Sequence, residues 1–280
     1  MSKVKEFFGQ YVKRDDVDWS LILMNQFCPY TNRKCFKVRK SNPNISIGIC
    51  TVDYSKYNDM MICPQRLLER RQIFNDCVHL LTLHEPGNEL HLLSEVSIPG
   101  GSVDYFLISV CKNKVVDFVG IELQTLDTTG SLWSERATLL RKKGLDVDKD
   151  DLRVKSFGMN WKMSAKTILV QMHHKIHTFE HLNRHLVLVI QDCFQDYMAR
   201  EFNFAHLQSA RQGDSFHIHS YTLDENEGKS LRLRLNNRVS TDANGIALCL
   251  GLQAEAKIEL NAVVKYLEAR ISEKTIFTSV

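Results

Sequence analysis

Two acidic side chains and an amide stand where they could act together. Asp104 follows Pro99-Gly100-Gly101, and Glu122 and Gln124 lie two residues apart in the apolar stretch that runs from residue 115. Side chains of an extended strand alternate between its faces, so Glu122 and Gln124 project from one face and Leu123 from the other. Residues 102–113 and 115–127 read as the two arms of a hairpin that turns near Lys112-Asn113-Lys114. That turn returns Asp104 to the side of Glu122. Two carboxylates gathered among apolar residues are costly without a cation. Mg2+ binds through few carboxylates, with water and phosphate oxygens completing its shell. It acidifies a bound water and neutralises charge in the in-line hydrolysis of a phosphodiester. The competing reading makes Asp104 a strand cap and Glu122 the partner of an arginine or lysine. Glu95, on the preceding strand-like stretch, is either a third acidic contributor or a surface residue.

The cysteines fall into two groups. Cys28, Cys35, Cys50 and Cys63 are separated by six, fourteen and twelve residues, in the stretch with the least regular pattern. Such a segment calls for a staple, and four thiolates suit tetrahedral Zn or Fe. The spacing is not that of paired CxxC ligands, so four unrelated buried cysteines remain the alternative. Cys77, Cys111, Cys193 and Cys249 are scattered through apolar runs and read as core filling. Arg33, Lys34, Lys37, Arg39 and Lys40 surround Cys35, and Arg66, Arg70 and Arg71 follow Cys63. This basic cluster fits a phosphate-contacting surface or a solvated one.

Other polar residues carry weaker signals. His173, His174, His177 and His181 share one predicted helix, with i, i+4 pairs that could ligate a metal, although no HExxH occurs; a polar face that touches DNA accounts for them better. Lys162 and Lys166 on that helix could approach a phosphate or simply be solvated. His217 and His219 share one face of a predicted strand and read as structural.

These residues need a scaffold. Val4, Phe7, Phe8, Tyr11 and Val12 have helical spacing, and Leu67, Leu68, Ile73, Cys77, Leu80 and Leu81 mark a helix that starts at Pro64. Residues 127–158 read as a polar, loop-rich stretch. A helix spans 161–182, a buried strand follows at HLVLVIQ, and another helix continues through Phe202. Residues 217–240 alternate as one or two strands, and 252–272 read as an amphipathic helix. At 280 residues, 44% hydrophobic and 25% charged, the chain has the composition of a folded globular protein. Its net charge of +3 leans only weakly towards polyanionic partners. No apolar run approaches the ~18 residues of a membrane helix, and the N-terminus has no signal-peptide pattern, so a cytoplasmic location is expected.

A strand bearing Asp after a Pro-Gly turn, then Glu-x-Gln in the next strand, resembles the PD-(D/E)XK nuclease core. Gln124 stands where most members carry lysine. Preceded by four cysteines, this core resembles the NotI/EagI-like family of type II restriction endonucleases over roughly residues 25–180. Asp-Thr-Thr-Gly-Ser at 127–131 and Asn-Trp-Lys at 160–162 fall where that family has a similar loop and helix. The resemblance implies an α/β fold: a mixed sheet flanked by helices, with an N-terminal four-cysteine metal-binding fold. It divides the chain into an N-terminal helix and metal region (1–66), a nuclease core (67–205) and C-terminal strands and helix (206–280). It also implies Mg2+ at Asp104 and Glu122, a positioning role for Gln124, and Fe or Zn at Cys28, Cys35, Cys50 and Cys63. The expected partner is double-stranded DNA, cut at a GC-rich palindrome by a homodimer, with a separate cognate DNA methyltransferase. Two other functions stay open: a DNA-binding protein that keeps the fold without catalysis, and a structural or interaction protein stapled by the cysteines.

Overall fold

Seven residues with no exposed side, His185–Gln191, form the strand at the centre of the fold. A strand covered on both faces reads as a continuous apolar run, which is why HLVLVIQ shows no alternation. In the computed structural model, residues 2–54, 57–147, 157–226, 229–252 and the short stretches 264–265 and 268–269 are described. The strands discussed below are β1 (Val4–Phe7), β2 (Gln10–Tyr11), β3 (Ile49–Tyr54), β4 (Tyr57–Met61), β5 (Glu89–Ile98), β6 (Gly101–Cys111), β7 (Lys114–Leu123), β8 (His185–Gln191), β9 (Gln208–Ser209), β10 (Phe216–Asn226) and β11 (Ser230–Thr241). The helices are α1 (Trp19–Asn25), α2 (Trp133–Lys142), α3 (Trp161–His181), α4 (Asp192–Glu201) and α5 (Ala243–Leu250).

The main sheet has seven strands in the order β9-β11-β10-β8-β7-β6-β5. β5, β6 and β7 form an antiparallel meander, β8 joins β7 in parallel, and β10 joins β8 in parallel. α3 and α4 make the two parallel crossovers, and β11 returns antiparallel on β10. The centre of the sheet is buried on both faces, whereas the edge strand β5 is largely exposed. Leu186, Leu188 and Ile190 of β8 meet Ile168, Leu169, Met172, Ile176 and Phe179 of α3 on one side. Val187 and Val189 meet Leu67, Ile73, Cys77 and Leu80 on the other. The expected mixed α/β architecture is present, and no helix of the described residues is long and apolar enough to cross a membrane.

Three sequence expectations need correction. Residues 4–12 form no helix: β1 and β2 pair as strands of a smaller sheet, ordered β2-β1-β3-β4. The misleading spacing arises because a turn at Phe8 and Gly9, both at positive φ, separates two short strands. Residues 64–81 are not one helix. A 3-10 segment (Pro64–Arg71), a helical turn (Gln72–Asn75) and a second 3-10 turn (Val78–Leu80) follow one another, broken where Arg70 and Arg71 take φ of 50° and 57°. The apolar residues expected on that face are nevertheless buried. The stretch 127–158, expected to be loop, contains α2. Its Ser134, Glu135 and Arg136 are buried, which disguises the helix as polar. Residues 148–156 and most of the expected helix at 252–272 lie outside the described residues.

The N-terminal sheet is bound to the main one by charge as well as by packing. Arg66 has no exposed surface, although the sequence pattern grouped it with a phosphate-contacting cluster. Its guanidinium donates to Glu6 at 2.6 Å, Glu69 at 2.9 Å and the Leu231 carbonyl at 2.9 Å. This arginine therefore ties β1 to β11 and leaves Arg70 and Arg71 exposed.

Candidate active site

The β6–β7 ladder ends at Tyr105 opposite Ile121. The next two residues of that register are Asp104 and Glu122, so the carboxylates face each other where the two strands part. Beyond this point β7 keeps pairing with β8, through Glu122–Leu188 and Leu123–Val189. β6 keeps pairing with β5, and Asp104 lies opposite Glu95 between the pairs Val103–Val96 and Tyr105–Ser94. Asp104 Oδ2 accepts the Leu123 amide at 2.8 Å, so a side chain replaces the lost backbone pairing. The competing expectation that Asp104 caps a strand therefore describes one of its two oxygens.

Both carboxyls are held above their ordinary range. Desolvation pushes Glu122 up to about 7, helped by the charge of Asp104 and opposed by hydrogen bonds from Lys175 and the Asp104 backbone. Desolvation also raises Asp104; the Leu123 amide and Lys175 counteract this, and Glu95 adds to it. Glu95 is exposed and adopts φ of 57°, yet its charge reaches the site. Asp104 and Glu122 thus share the field of one ammonium.

That ammonium belongs to Lys175, so Glu122 is paired with a lysine as the competing reading expected, although the sequence did not single out this lysine. It donates to Glu122 Oε1 at 2.5 Å, and the two residues are only 6% and 5% exposed. Two glycines bring α3 near enough. A side chain on Gly100 would lie 2.8 Å from the His174 carbonyl, and one on Gly101 would lie 3.2 Å from Lys175 Cε. Thr178 also donates to the Pro99 carbonyl at 2.8 Å. The signal in the sequence is a lysine within the apolar stripe of a helix: Ile168, Met172, Lys175, Ile176 and Phe179 all point inwards. Lys162 and Lys166, considered earlier as phosphate contacts, are exposed; the nearer of them lies ~13 Å from Lys175 along the helix axis.

Gln124 continues the β7–β8 ladder through its amide, which donates to Val189 at 3.0 Å. Its side chain is half-buried and donates to the adjacent Thr125 carbonyl at 2.5 Å, so it points away from the role of holding a water.

The cysteine expectation can be set against the same structure. Cys50 lies on β3 and Cys63 just after β4, while Cys28 and Cys35 flank a short two-stranded turn at Phe27–Cys28 and Arg33–Lys34. Cys28, Cys50 and Cys63 are buried and Cys35 partly so. Burial raises the Cys50 thiol, with further repulsion from Cys63 and Cys28; burial raises Cys63 too, and Lys37 opposes this while Cys35 and Cys28 add to it. The buried thiols of Cys50 and Cys63 thus feel the charge of the other cysteines of the set. Among the described residues no group of three or more His, Cys, Asp or Glu is placed so that it could hold a metal ion, so the expected four-cysteine site is not formed in this arrangement. In the basic cluster, Arg33, Lys34 and Lys40 are exposed, Lys37 donates to the Ile62 carbonyl at 3.1 Å and Arg39 lies 4.3 Å above the Trp133 ring. The charge of Arg33 reaches Tyr105, whose ring lies against Phe74 on the sheet face opposite α3 and Lys175.

His174, His177 and His181 are exposed on α3 and His173 is partly so, in keeping with a polar face. His217 and His219 are fully buried on β10. Of the other cysteines, Cys77, Cys193 and Cys249 are buried and Cys111 is half-buried.

An Asp–Glu pair with too little positive charge around it suits a hard divalent cation, which needs few protein carboxylates. Asp104 and Glu122 are the residues able to hold one. Comparison with protein-family models, curated proteins and solved structures finds no match to this chain.

Proposed function

We propose that the protein is a Mg2+-dependent endonuclease of the PD-(D/E)XK kind, acting on double-stranded DNA as a type II restriction endonuclease resembling the NotI family. The observation that carries this reading is the facing pair Asp104 and Glu122 at the parting of β6 and β7, buried with one lysine. An antiparallel meander followed by a crossover helix and a parallel strand agrees with it. Asp104 and Glu122 would hold the metal, which supplies an acidified water and charge neutralisation at the phosphorus. Gln124 would leave the Thr125 carbonyl to orient that water or a phosphate oxygen. Arg33, Lys34 and Lys40 would meet the DNA backbone, and two copies of the chain would cut the two strands of a GC-rich palindrome, with a separate methyltransferase protecting host sites.

Cys28, Cys35, Cys50 and Cys63 would close on one Fe or Zn. Elemental analysis of the purified protein is expected to give about one such atom per chain, lost in Cys50→Ser and kept in Cys193→Ser. Neither metal in the native protein would leave the four thiols as core residues.

A non-catalytic DNA-binding protein is the second reading, favoured by the Gln124 side chain being turned onto Thr125. Incubation with mixed-sequence double-stranded DNA, with and without Mg2+, separates the two. The endonuclease gives discrete fragments only with Mg2+; DNA that is bound and left whole at every Mg2+ concentration supports the second reading.

A further inference from the structure

Lys175 is the one buried lysine among the described residues, and it sits on the apolar face of α3. Its ammonium occupies Glu122 Oε1, so a divalent cation that takes both oxygens of this carboxylate has to displace it. The lysine expected on β7 in this fold is replaced by Gln124, whose amide cannot carry charge to a phosphate. Without a side chain at Gly101 the Lys175 stem packs directly against the exposed β5–β6 turn, since a Cβ there would lie 3.2 Å from Lys175 Cε. The flexible four-carbon stem lets the ammonium leave Glu122 towards that rim by rotation of the side chain alone.

We propose that Lys175 is a resident counter-ion that must release Glu122 before a divalent cation binds, and that the released ammonium then meets the substrate's anionic phosphate oxygen. This rests on the endonuclease reading for its second half only. In the metal-free chain Lys175 neutralises the buried Glu122 carboxylate beside the β6–β7 fork. With Glu122 engaged elsewhere, the same ammonium remains within the field of Asp104.

The test uses the full chain with Lys175→Met, which keeps the length of the stem, and Lys175→Arg, which keeps the charge. Thermal unfolding first confirms that both are folded. Mn2+ binding, followed by calorimetry and by the paramagnetic resonance of free Mn2+, is expected to tighten at least ~10-fold in Lys175→Met, since no ammonium competes for Glu122. At saturating Mn2+, single-turnover DNA cleavage by Lys175→Met is expected to fall ~10²–10³-fold with DNA affinity kept, and Lys175→Arg to restore part of it. Mn2+ affinity unchanged or weaker in folded Lys175→Met overturns the counter-ion role. Unchanged cleavage at saturating Mn2+ overturns the phosphate role. Tighter Mn2+ binding in a protein that cuts no DNA in any form removes the endonuclease reading and upholds Lys175 as the displaced counter-ion.

Discussion

Gln124 shows how a single side chain can fit a site by sequence and be turned from it by structure. Its position two residues after Glu122 puts it on the same face of β7, and that much follows from strand alternation. Its amide is nonetheless bonded to the next carbonyl, Thr125. If it turns towards the reacting water only in the transition state, Gln124→Ala should leave DNA affinity and Mg2+ affinity near wild type. The cleavage rate should drop ~10²–10³-fold, the usual cost of removing a hydrogen-bond donor to the transition state. Gel-shift binding and single-turnover cleavage measured together check this; a rate within threefold of wild type would make Gln124 a bystander. The Asp104–Glu122 pair was legible because a turn at residue 113 and a period of two fix which residues face each other. Lys175 was not, since it reaches Glu122 across 53 residues from a separate element. A polar residue inside an apolar helical stripe was the available clue, obscured by His173, His174 and His177 around it.

The position of α3 on the β5–β6 turn decides whether that lysine arrives. Gly100 adopts φ of +96° and lies against the backbone of His174 and Lys175. A methyl group there meets the His174 carbonyl at 2.8 Å, and the positive φ adds strain for any L side chain. Gly100→Ala is therefore expected to cost ~1–3 kcal/mol in urea unfolding and to pull Lys175 from Glu122. Stability within 0.5 kcal/mol of wild type, as for an ordinary surface site, would mean that α3 does not depend on this close approach. Elements built on one strong period were readable: β6, β7, β8, α3 and α4 all appear where the pattern put them. Those that failed did so for stated reasons. β1 and β2 mimic a helix because a tight turn resets the alternation, and α2 hides because it buries Glu135, whose carboxylate accepts the Lys3 amide at 2.8 Å.

Across the molecule, the sheet face opposite α3 holds a second set of buried polar groups. His217 lies 5.3 Å from the His185 ring and 6.2 Å from His219, which in turn lies 6.2 Å from His79 and has Cys77 Sγ 3.8 Å from its Nδ1. Burial, with repulsion from His185 and His79, pushes His217 down to about 4; its contact with the Asp214 carbonyl opposes this. Burial and the charge of Arg238 also lower His219. A depressed folded pKa gives stability that is complete above the unfolded value near 6.5 and is lost as pH falls towards 4. Glu122 has the opposite sign, because its raised pKa gives stability that is present below 4.5 and lost as pH rises through 7. The two windows overlap, so they must be separated by substitution. The stability gap between wild type and His217→Gln should narrow by about 2 kcal/mol between pH 7 and pH 5 in urea unfolding. A gap that stays constant would mean that His217 is not held neutral by the fold. The central claim concerns the fork between β6 and β7, and the most direct measurement is single-turnover cleavage of double-stranded DNA by wild type, Asp104→Asn and Glu122→Gln, with binding measured in parallel. The account predicts Mg2+-dependent cleavage by wild type and a loss of at least ~10³-fold in each variant, with DNA affinity retained. Cleavage at near wild-type rate by either variant would contradict it.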